Sequence, residues 1–339
     1  MLWSGGSMSE RVLVTGAGGF LGGAIARLLV KEGYAVRHLS RRAYPGLATL
    51  GIEQHQGSLE DSGAVRLAAR GCDAVLHVAA KAGMWGPLGE YWRANVLGTR
   101  RVIEACRREG VGRLVVTSSP SVVFHHGDQQ GIDETTPYPT HHENLYSRTK
   151  AQAERESLRA NGPDLAVTAL RPHLIWGPGD PHLLPRLVAR NRAGRLRRVG
   201  PGGLVDTTCV ENAAHAHLLA LSRLCPGATC AGKAYFIANN APMNLWELVN
   251  ALLVAVGEKP VEKSISPRLA FAAGVAAEIL WGCLRLPGEP PLTRFVAREL
   301  ATAHWFDLTA ARRDLGYQPV ISLTDGLARL GTWHRQPPQ

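Results

Sequence analysis

The stretch VLVTGAGGFLGGAIARLL, residues 12–29, decides the fold of this 339-residue chain. Its first residues belong to a short apolar run, Arg11–Thr15, whose length and β-branched content are typical of a buried strand. Glycines follow at once, and the chain then returns to an apolar pattern with the spacing of a helix over residues 22–32. The stretch therefore predicts a strand, a glycine-rich turn and a helix in direct succession.

Three glycines in this turn, Gly16, Gly19 and Gly22, have the spacing of a dinucleotide-binding loop. The first permits the tight turn, and the second lets the backbone approach a pyrophosphate at the amides that open the helix. The third lets the helix pack closely on the strand. An ordinary glycine-rich turn is the alternative, but the strand before and the helix after favour dinucleotide binding.

Strand and helix patterns continue to alternate along the first half of the chain. Further strands are predicted at residues 34–39, 74–78, 113–117 and 165–170, and a helix at about 96–109. Alternation of this kind implies parallel strands joined by right-handed crossovers. The fold class is therefore predicted as α/β, with a Rossmann-type doubly wound parallel sheet.

The sequence pattern changes from about Trp176, where glycine and proline become frequent. Helices are predicted at 212–223 and 245–256 without regular strands between them. We predict a dinucleotide-binding Rossmann domain over residues 8–175, with later sheet elements from about 205–240. A smaller, mostly helical substrate-binding region over residues 176–335 is interleaved with it. Residues 1–7 are interpreted as an irregular extension ahead of a second possible start at Met8.

Composition narrows the class of protein. Hydrophobic residues make up 45% and charged residues 19%, which allows a sizeable core and argues against disorder. The formal net charge is +10, but the arginines are spread in short runs and are best explained as solvated helix faces. Basic residues do not alternate with aromatic residues as they do in nucleic-acid-binding modules, so no nucleic-acid partner is predicted.

Cysteine and histidine patterns give no metal site. None of the six cysteines forms a CxxC pair, and most lie in apolar runs, which indicates reduced, buried thiols in a cytoplasmic protein. The histidine pairs at 125–126 and 141–142 would suit a metal-dependent hydrolase, but adjacent histidines in polar loops lack the spacing of a ligand set. No metal is predicted.

One apolar stretch, residues 269–284, stands apart from the rest. It includes Glu278 and is flanked by Arg268 and Arg285, so a membrane-spanning helix is not expected. A buried helix and an interfacial helix remain the alternatives. The second alternative predicts a cytoplasmic protein with peripheral contact to a membrane, a lipid substrate or a partner enzyme through this stretch.

The end of the second predicted strand indicates the cofactor. Enzymes that use NAD tend to place Asp or Glu there to hold the ribose hydroxyls. This chain has Ser40 followed by Arg41 and Arg42. A carboxylate would repel a 2′-phosphate, whereas a guanidinium pairs with it, so NADP(H) is favoured. The alternative is that both arginines are only solvated.

A catalytic pair is suggested by Tyr146 and Lys150, which share one helix face at i and i+4. A nearby ammonium lowers the pKa of a phenol, so the tyrosine can exchange a proton near neutral pH. Upstream, Ser118 and Ser119 follow the strand at 113–117, at the sheet edge where doubly wound folds bind ligands. A hydroxyl there can stabilise negative charge on a substrate oxygen.

Together these motifs resemble the extended short-chain dehydrogenases/reductases, in the branch of the 3β-hydroxysteroid and sterol-4α-carboxylate 3-dehydrogenases. The resemblance covers almost the whole chain and includes TGAGGFLG (15–22), HVAA (77–80), NVLGT (95–99), TSSPSVVF (117–124), YSRTK (146–150), RPHLIWGPGD (171–180) and FDLTAARRDLGYQP (306–319).

The resemblance implies roles for individual residues. Tyr146 is implied as the acid/base, Lys150 as the residue that holds the ribose, and Ser119 as the polarising hydroxyl. Asn95 corresponds to a structural asparagine of the family, with helix capping as the alternative. The implied cofactor-binding set is Gly16, Gly19, Phe20, Leu21, Gly22, Arg41, Arg42, Ser58, Leu59, Tyr146 and Lys150, although Ser58 replaces the family's usual Asp beside adenine.

A narrower resemblance concerns the substrate. The segments KAGMWG (81–86), VDTTCVENAAHAHLLA (205–220), GKAYFIAN (232–239) and GEPPLTRF (288–295) are similar to reductases of 2-alkyl-3-oxoalkanoates in bacterial long-chain olefin biosynthesis. The implied reaction is NADPH-dependent reduction of a 2-alkyl-3-oxoalkanoic acid to the 2-alkyl-3-hydroxyalkanoic acid. A sterol-4-carboxylate 3-dehydrogenase and a non-catalytic NADP-binding sensor are the alternatives. A homodimer is expected by analogy with the family.

The substrate site is less sharply defined. Residues 269–284, with Trp281, are one candidate lining for two alkyl chains, and a purely structural core role is the alternative. A substrate carboxylate needs a cation, for which Lys81, Arg186 and Arg190 are candidates by position alone.

Overall fold

A computed structural model of the chain describes residues 9–336, so residues 1–7 and Met8 lie outside the described part. In chain order the elements are β1 (Arg11–Thr15), α1 (Phe20–Lys31), β2 (Ala35–Ser40), α2 (Pro45–Ala48), β3 (Glu53–Gln56), α3 (Ser62–Ala69), β4 (Ala74–His77), α4 (Leu88–Tyr91), a π-helix (Trp92–Leu97), α5 (Gly98–Glu109), β5 (Arg113–Thr117), a 3₁₀-helix (Pro120–Val123), β6 (Gln129–Ile132), α6 (Leu145–Arg159), β7 (Ala166–Pro172), β8 (Ile175–Trp176), α7 (Leu183–Arg192), β9 (Arg198–Val199), β10 (Leu204–Val205), β11 (Thr208–Cys209), α8 (Val210–Arg223), β12 (Ala234–Ile237), β13 (Met243–Asn244), α9 (Leu245–Ala255), β14 (Ser264–Ile265), α10 (Pro267–Leu284), α11 (Arg294–Glu299), β15 (His304–Phe306), α12 (Thr309–Leu315) and α13 (Leu323–Arg335).

The main sheet has seven parallel strands in the order β12-β7-β5-β4-β1-β2-β3. This confirms the predicted doubly wound α/β fold. The chain order reverses between β1 and β4, and ligands of such sheets bind at that point, outside the carboxyl ends of the strands.

Two apolar layers hold helices on the two faces of this sheet. Side chains alternate along β1, so that Val12 and Val14 face α1 and α8, whereas Leu13 faces α3 and α5. All three are fully buried. Burial on both faces explains why these strands read as continuous apolar runs.

A third apolar cluster lies in the second half of the chain. Its fully buried members, from Trp176 to Leu330, all come from residues beyond 175. The division at residues 175 and 176 stays a prediction, since residues of α8, β12 and α12 pack with the main sheet in the first cluster.

The second region contains more strand than the helical pattern predicts. A small sheet has the order β13-β10-β15-β6, and β6 comes from the first half of the chain. These strands have two to four residues each, too few for a periodic signal. The predicted helix starts at 22 and 96 also differ from the structure, since α1 begins at Phe20 and a π-helix precedes α5.

The cysteine prediction is only partly correct. Four thiols are buried, but two are exposed, because Cys225 lies in a turn after α8 and Cys283 on the outer side of α10. Within residues 9–336, no group of three or more His, Cys, Asp or Glu side chains is arranged to hold a metal.

Candidate active site

The glycine loop crosses the loop that follows β4 at the reversal of strand order. Gly16 has a φ of +79°, and a Cβ atom there would lie 2.9 Å from the backbone of Ala79. Only glycine satisfies both the left-handed conformation and the close approach. The tight turn predicted for Gly16 therefore has a specific structural cause.

The start of α1 is open to an anion. The amide of Gly19 donates to the carbonyl of Gly16 at 2.9 Å, and no side chain caps the helix. The first turn contains no acidic residue, so the unpaired amides and the helix dipole favour negative charge. Gly22 permits this packing, since a Cβ atom there would lie 2.1 Å from the Gly16 carbonyl oxygen. The cradle fits a pyrophosphate.

A buried histidine fixes the two loops behind this cradle. The ring of His77 is bonded to the hydroxyl of Thr15 at 2.8 Å and to that of Thr99 at 2.9 Å. Burial, with a smaller contribution from the charge of Lys150, lowers the pKa of His77 to about 3, so the ring is neutral. The ends of β1 and β4 are thereby joined to α5.

The end of β2 presents Arg41 and Arg42 to the same cavity, which has a volume of about 1400 Å³. Both arginines are exposed, and neither pairs with a carboxylate within residues 9–336. The guanidinium of Arg42 lies 5.0 Å from the ring centre of Tyr44. The two cations are therefore available to a phosphate at this end of the cavity.

The residues predicted to contact adenine line the same cavity as the two arginines. Ser58 and Leu59 both line the cavity. The hydroxyl of Ser58 accepts a bond from the amide of Glu60 at 3.2 Å, so its proton remains free to be donated.

The three residues predicted as catalytic line the same cavity. Ser119 caps the 3₁₀-helix after β5, and its hydroxyl is close enough to that of Tyr146 to lower the phenol's pKa. Lys150 lies one turn after Tyr146 on α6, and its ammonium donates to the carbonyl of Thr117 at 2.6 Å. Ser118 also lines the cavity, but its hydroxyl is near enough to Glu154 to help lower the pKa of that carboxyl. This geometry supports Ser119 over Ser118 as the polarising hydroxyl.

The acidity of Tyr146 differs from the expectation. Burial raises its pKa, and nearby Glu299 raises it further, while the hydrogen bond with Ser119 lowers it. Lys150 does not lower it here, because its ammonium is turned to the Thr117 carbonyl. Tyr146 is therefore protonated at neutral pH, as a proton donor must be.

Burial disfavours the charged form of Lys150. Burial lowers its pKa to about 8, although Glu154 opposes the shift. Glu154 is itself held by Arg171 through two bonds of 2.6 and 3.0 Å, and by the hydroxyl of Tyr138. A buried ion pair thus fixes the helix that carries Tyr146 and Lys150.

Asn95 does not cap a helix. It lies in the π-helix, donates to the hydroxyl of Thr149 at 3.1 Å and bonds both backbone groups of Lys81. The wider turn of a π-helix is common at functional sites. Here it connects α6 to the loop after β4, which lines the cavity.

The structure narrows the substrate candidates for this cavity. Of the three cations considered, only Lys81 lines it, whereas Arg186 pairs with Glu289 at 3.1 Å outside it. Arg190 is not among its lining residues. Neither Trp281 nor any other residue of 269–284 lines it, because α10 lies on the outer side of the second region with only 11% of its residues buried.

Sequence reasoning missed several lining residues. The ring of Tyr44 covers Gly18, and His173, His304 and Glu299 form a wall beyond Tyr146. Only Tyr44 had a sequence signal, since it follows the two arginines closely. The other three come from distant parts of the chain that the small sheet brings together.

A doubly wound sheet with a nucleotide cradle and a Ser–Tyr–Lys trio defines an extended short-chain dehydrogenase/reductase. Residues 13–267 match the model of the 3-beta hydroxysteroid dehydrogenase/isomerase family, and the chain belongs to that family. It is therefore an oxidoreductase that acts on a hydroxyl or keto group.

Similar proteins agree with this assignment. A 2-alkyl-3-oxoalkanoate reductase of Stenotrophomonas maltophilia is 53% identical, over 94% of this chain and 98% of the relative. One of the same name from Shewanella oneidensis is 44% identical, over 95% and 85%. The solved structure of MoeE5 in complex with UDP-glucuronic acid and NAD is 27% identical, with a TM-score of 0.73 over 96% of this chain and 99% of that one. The prediction of a nicotinamide cofactor is confirmed.

Proposed function

We propose that this enzyme reduces a 2-alkyl-3-oxoalkanoic acid to the 2-alkyl-3-hydroxyalkanoic acid with NADPH. The observation that carries the proposal is the protonated phenol of Tyr146 beside Ser119, in one cavity with the pyrophosphate cradle. The names of the relatives at 53% and 44% identity supply the substrate class.

The cofactor is assigned to the cradle and to the arginines after β2. The amides at the start of α1 would hold the pyrophosphate, and Arg41 with Arg42 would hold the 2′-phosphate of NADP(H). When bound, the cofactor supplies the hydride for the ketone carbon. Within residues 9–336 neither arginine is paired with a carboxylate, which supports the phosphorylated form.

The side chains handle the substrate oxygen. Ser119 donates a hydrogen bond to the ketone oxygen and stabilises the negative charge that develops there. Tyr146 transfers its hydroxyl proton to that oxygen, which leaves the alcohol and a phenolate. Lys150, on the next turn, would hold the ribose of the cofactor, the role that the family resemblance implies for it. Apolar side chains of the same cavity, including Met84, Leu174 and Phe306, offer space for the alkyl chains.

The proposal is tested by product identification. Purified enzyme is supplied with NADPH and a 2-alkyl-3-oxo acid and, in parallel, with a 4-carboxysterol and NAD⁺ or NADP⁺. We expect the 3-hydroxy acid as product, and a decrease of kcat by about 10²- to 10⁴-fold in Tyr146→Phe. Tyr34→Phe, a partly buried tyrosine outside the cavity, is the control. Turnover of the sterol alone would replace the proposal, and full activity of Tyr146→Phe would support a different mechanism.

We also propose that this cytoplasmic enzyme contacts anionic lipid through α10. The helix has 18 residues with a mean hydropathy of 1.3, long and apolar enough to cross a membrane by length and composition. Its outer stripe is entirely apolar and includes Leu269, Ile279 and Leu280, which are 47–60% exposed. Arg268 and Arg285 at its two ends complement lipid phosphates.

Vesicle flotation tests this contact. Binding to anionic but not to zwitterionic vesicles is expected, with loss in Ile279→Gln and retention in Val320→Gln, an equally exposed control outside α10. Equal flotation of both variants would contradict the proposal.

A homodimer remains a proposal that rests on family resemblance, and light scattering in solution measures it.

A further inference from the structure

The cavity continues beyond Tyr146 to a wall of uncharged rings. His173 and His304 lie 6.0 Å apart between ring centres, with Phe124 and Phe306 edge-on to them. Burial lowers the pKa of His173 to about 4 and that of His304 to about 3, so both rings are neutral. Neither histidine can supply a positive charge to a bound substrate.

Glu299 is the acid on this wall. It is the last residue of α11 and lines the cavity with Tyr146. Its carboxyl has no hydrogen-bond or ion-pair partner within residues 9–336. The preceding Arg298 is turned away, to Glu143 at 2.6 Å and to His126 at 2.8 Å.

The surroundings of Glu299 keep it neutral. Burial and the charge of Glu143 raise its pKa to about 8. The other titratable groups on this side are the phenol of Tyr146 and the neutral rings of His173 and His304. A carboxyl that retains its proton at neutral pH is a hydrogen-bond donor.

The cations of the cavity are already engaged. Lys81 pairs with Glu90 at 2.9 Å, Arg93 with Glu60 at 3.5 Å, and Lys150 donates to a backbone carbonyl. Arg41 and Arg42 lie at the end assigned to the 2′-phosphate. Among the described residues, no unengaged cation therefore lies beside Tyr146 to receive a substrate carboxylate.

We propose that Glu299, in its protonated form, donates a hydrogen bond to the carboxylate of the 2-alkyl-3-oxo or 3-hydroxy acid and thereby selects acids over neutral ketones. The inference rests on the proposed function. In such an acid the carboxyl carbon is two bonds from the reacting carbon, so the carboxylate must lie close to Tyr146. Glu299 meets this requirement, because it lines the same cavity as the phenol of Tyr146 and, when ionised, is near enough to raise the pKa of that phenol.

The hydrogen bond from protonated Glu299 makes binding of the acid depend on pH. Below pH 8 the two carboxyl groups share one proton, whereas above it Glu299 ionises and repels the substrate. The KM for the acid should therefore rise, approaching tenfold per pH unit well above 8. Lys150 titrates in the same range, so the wild-type profile alone does not identify the group.

Variants of Glu299 separate the two groups. The stable 2-alkyl-3-hydroxy acid is oxidised with NADP⁺ between about pH 6.5 and 9.5, beside its methyl ester. Glu299→Gln keeps a neutral hydrogen-bond donor, so its KM for the acid should stay low. That KM should also lack the additional rise above pH 8 that is expected for the wild type. Glu299→Ala should raise the KM for the acid by about 10- to 100-fold, the equivalent of one charge-assisted hydrogen bond, with kcat nearly unchanged. The KM for the ester should not respond to either variant.

The outcomes are distinct. Glu278→Gln, an acid on α10 outside the cavity, is the control and should match the wild type. Two results would overturn the inference while leaving the proposed function intact. One is that Glu299→Ala and the wild type have equal KM values for the acid. The other is that Glu299→Gln and the wild type have equal pH profiles of KM. Failure of the wild type to convert any 3-oxo or 3-hydroxy acid would overturn the proposed function itself.

Discussion

Replacement of Gly22 by alanine tests the link between the glycine cradle and cofactor binding. An added Cβ atom would lie 2.1 Å from the carbonyl oxygen of Gly16 and 2.6 Å from its carbon. Since such contacts normally exceed about 3.4 Å, α1 must move outward by about 1 Å. Overpacking of this kind costs about 1–3 kcal/mol. Alanine returns about 1 kcal/mol through helix propensity, so a net loss of stability of up to about 2 kcal/mol is expected.

The larger effect should fall on NADPH. Displacement of the amides at the start of α1 weakens at least one charge-assisted hydrogen bond, worth about 1.5–3 kcal/mol, so Kd should rise by about 10- to 100-fold. Fluorescence titration measures Kd, and thermal unfolding measures stability. Gly282→Ala is the matched control, because Gly282 is helical with nothing within 4 Å of the added atom. If both variants bound NADPH equally well, the close approach at Gly22 would not be what shapes the cradle.

Three further predictions concern charge. Arg41→Ser should raise the KM for NADPH by about 10- to 100-fold and leave the KM for NADH unchanged, as measured by steady-state kinetics. An equal rise of the two KM values would refute the 2′-phosphate role. Lys150 has a folded pKa of about 8 against 10.5 unfolded, so the native state binds fewer protons between these values and is stabilised as pH rises. Urea unfolding should show the wild type gaining about 3 kcal/mol relative to Lys150→Met from pH 8 to 10.5, and parallel curves would contradict this. Glu154→Gln leaves Arg171 buried without its partner and should lower the free energy of unfolding by about 3–5 kcal/mol, measured in urea at pH 7. The control Glu156→Gln, at the surface, should lower it by under about 1 kcal/mol. Similar losses in the two variants would argue against a buried pair.

The sequence predicted five of the seven strands of the main sheet because their signals are local, whereas β3 and β12, of four residues each, were not predicted as strands. A buried parallel strand is an apolar run, and the loop after β1 combines three glycines with a strand before and a helix after. Tyr146 and Lys150 are four residues apart on one helix, so their shared face follows from helix geometry. Each of these features needs fewer than twenty consecutive residues to recognise.

The substrate wall had no such signal. Glu299 ends a six-residue helix, and His304 begins a three-residue strand, so neither has a periodic neighbourhood. They reach Tyr146 only because β15 pairs with β6 and β10, which come from residues 129–132 and 204–205. Pairing over such distances depends on tertiary packing rather than on local pattern.

The apolar stretch at 269–284 failed as a substrate lining for a related reason. An apolar helix of 18 residues has the same composition whether it lines a pocket, fills a core or lies at a surface. In the structure the largely buried carboxylate of Glu278 pairs with Arg294, and the exposed stripe of α10 between its two end arginines carries no charge. Under the proposed function the substrate chains lie in the cavity and not against α10, so selectivity for the acid and contact with lipid are assigned to separate surfaces. Variants of Glu299 should therefore change the KM for the acid without changing vesicle binding, and variants of Ile279 the reverse.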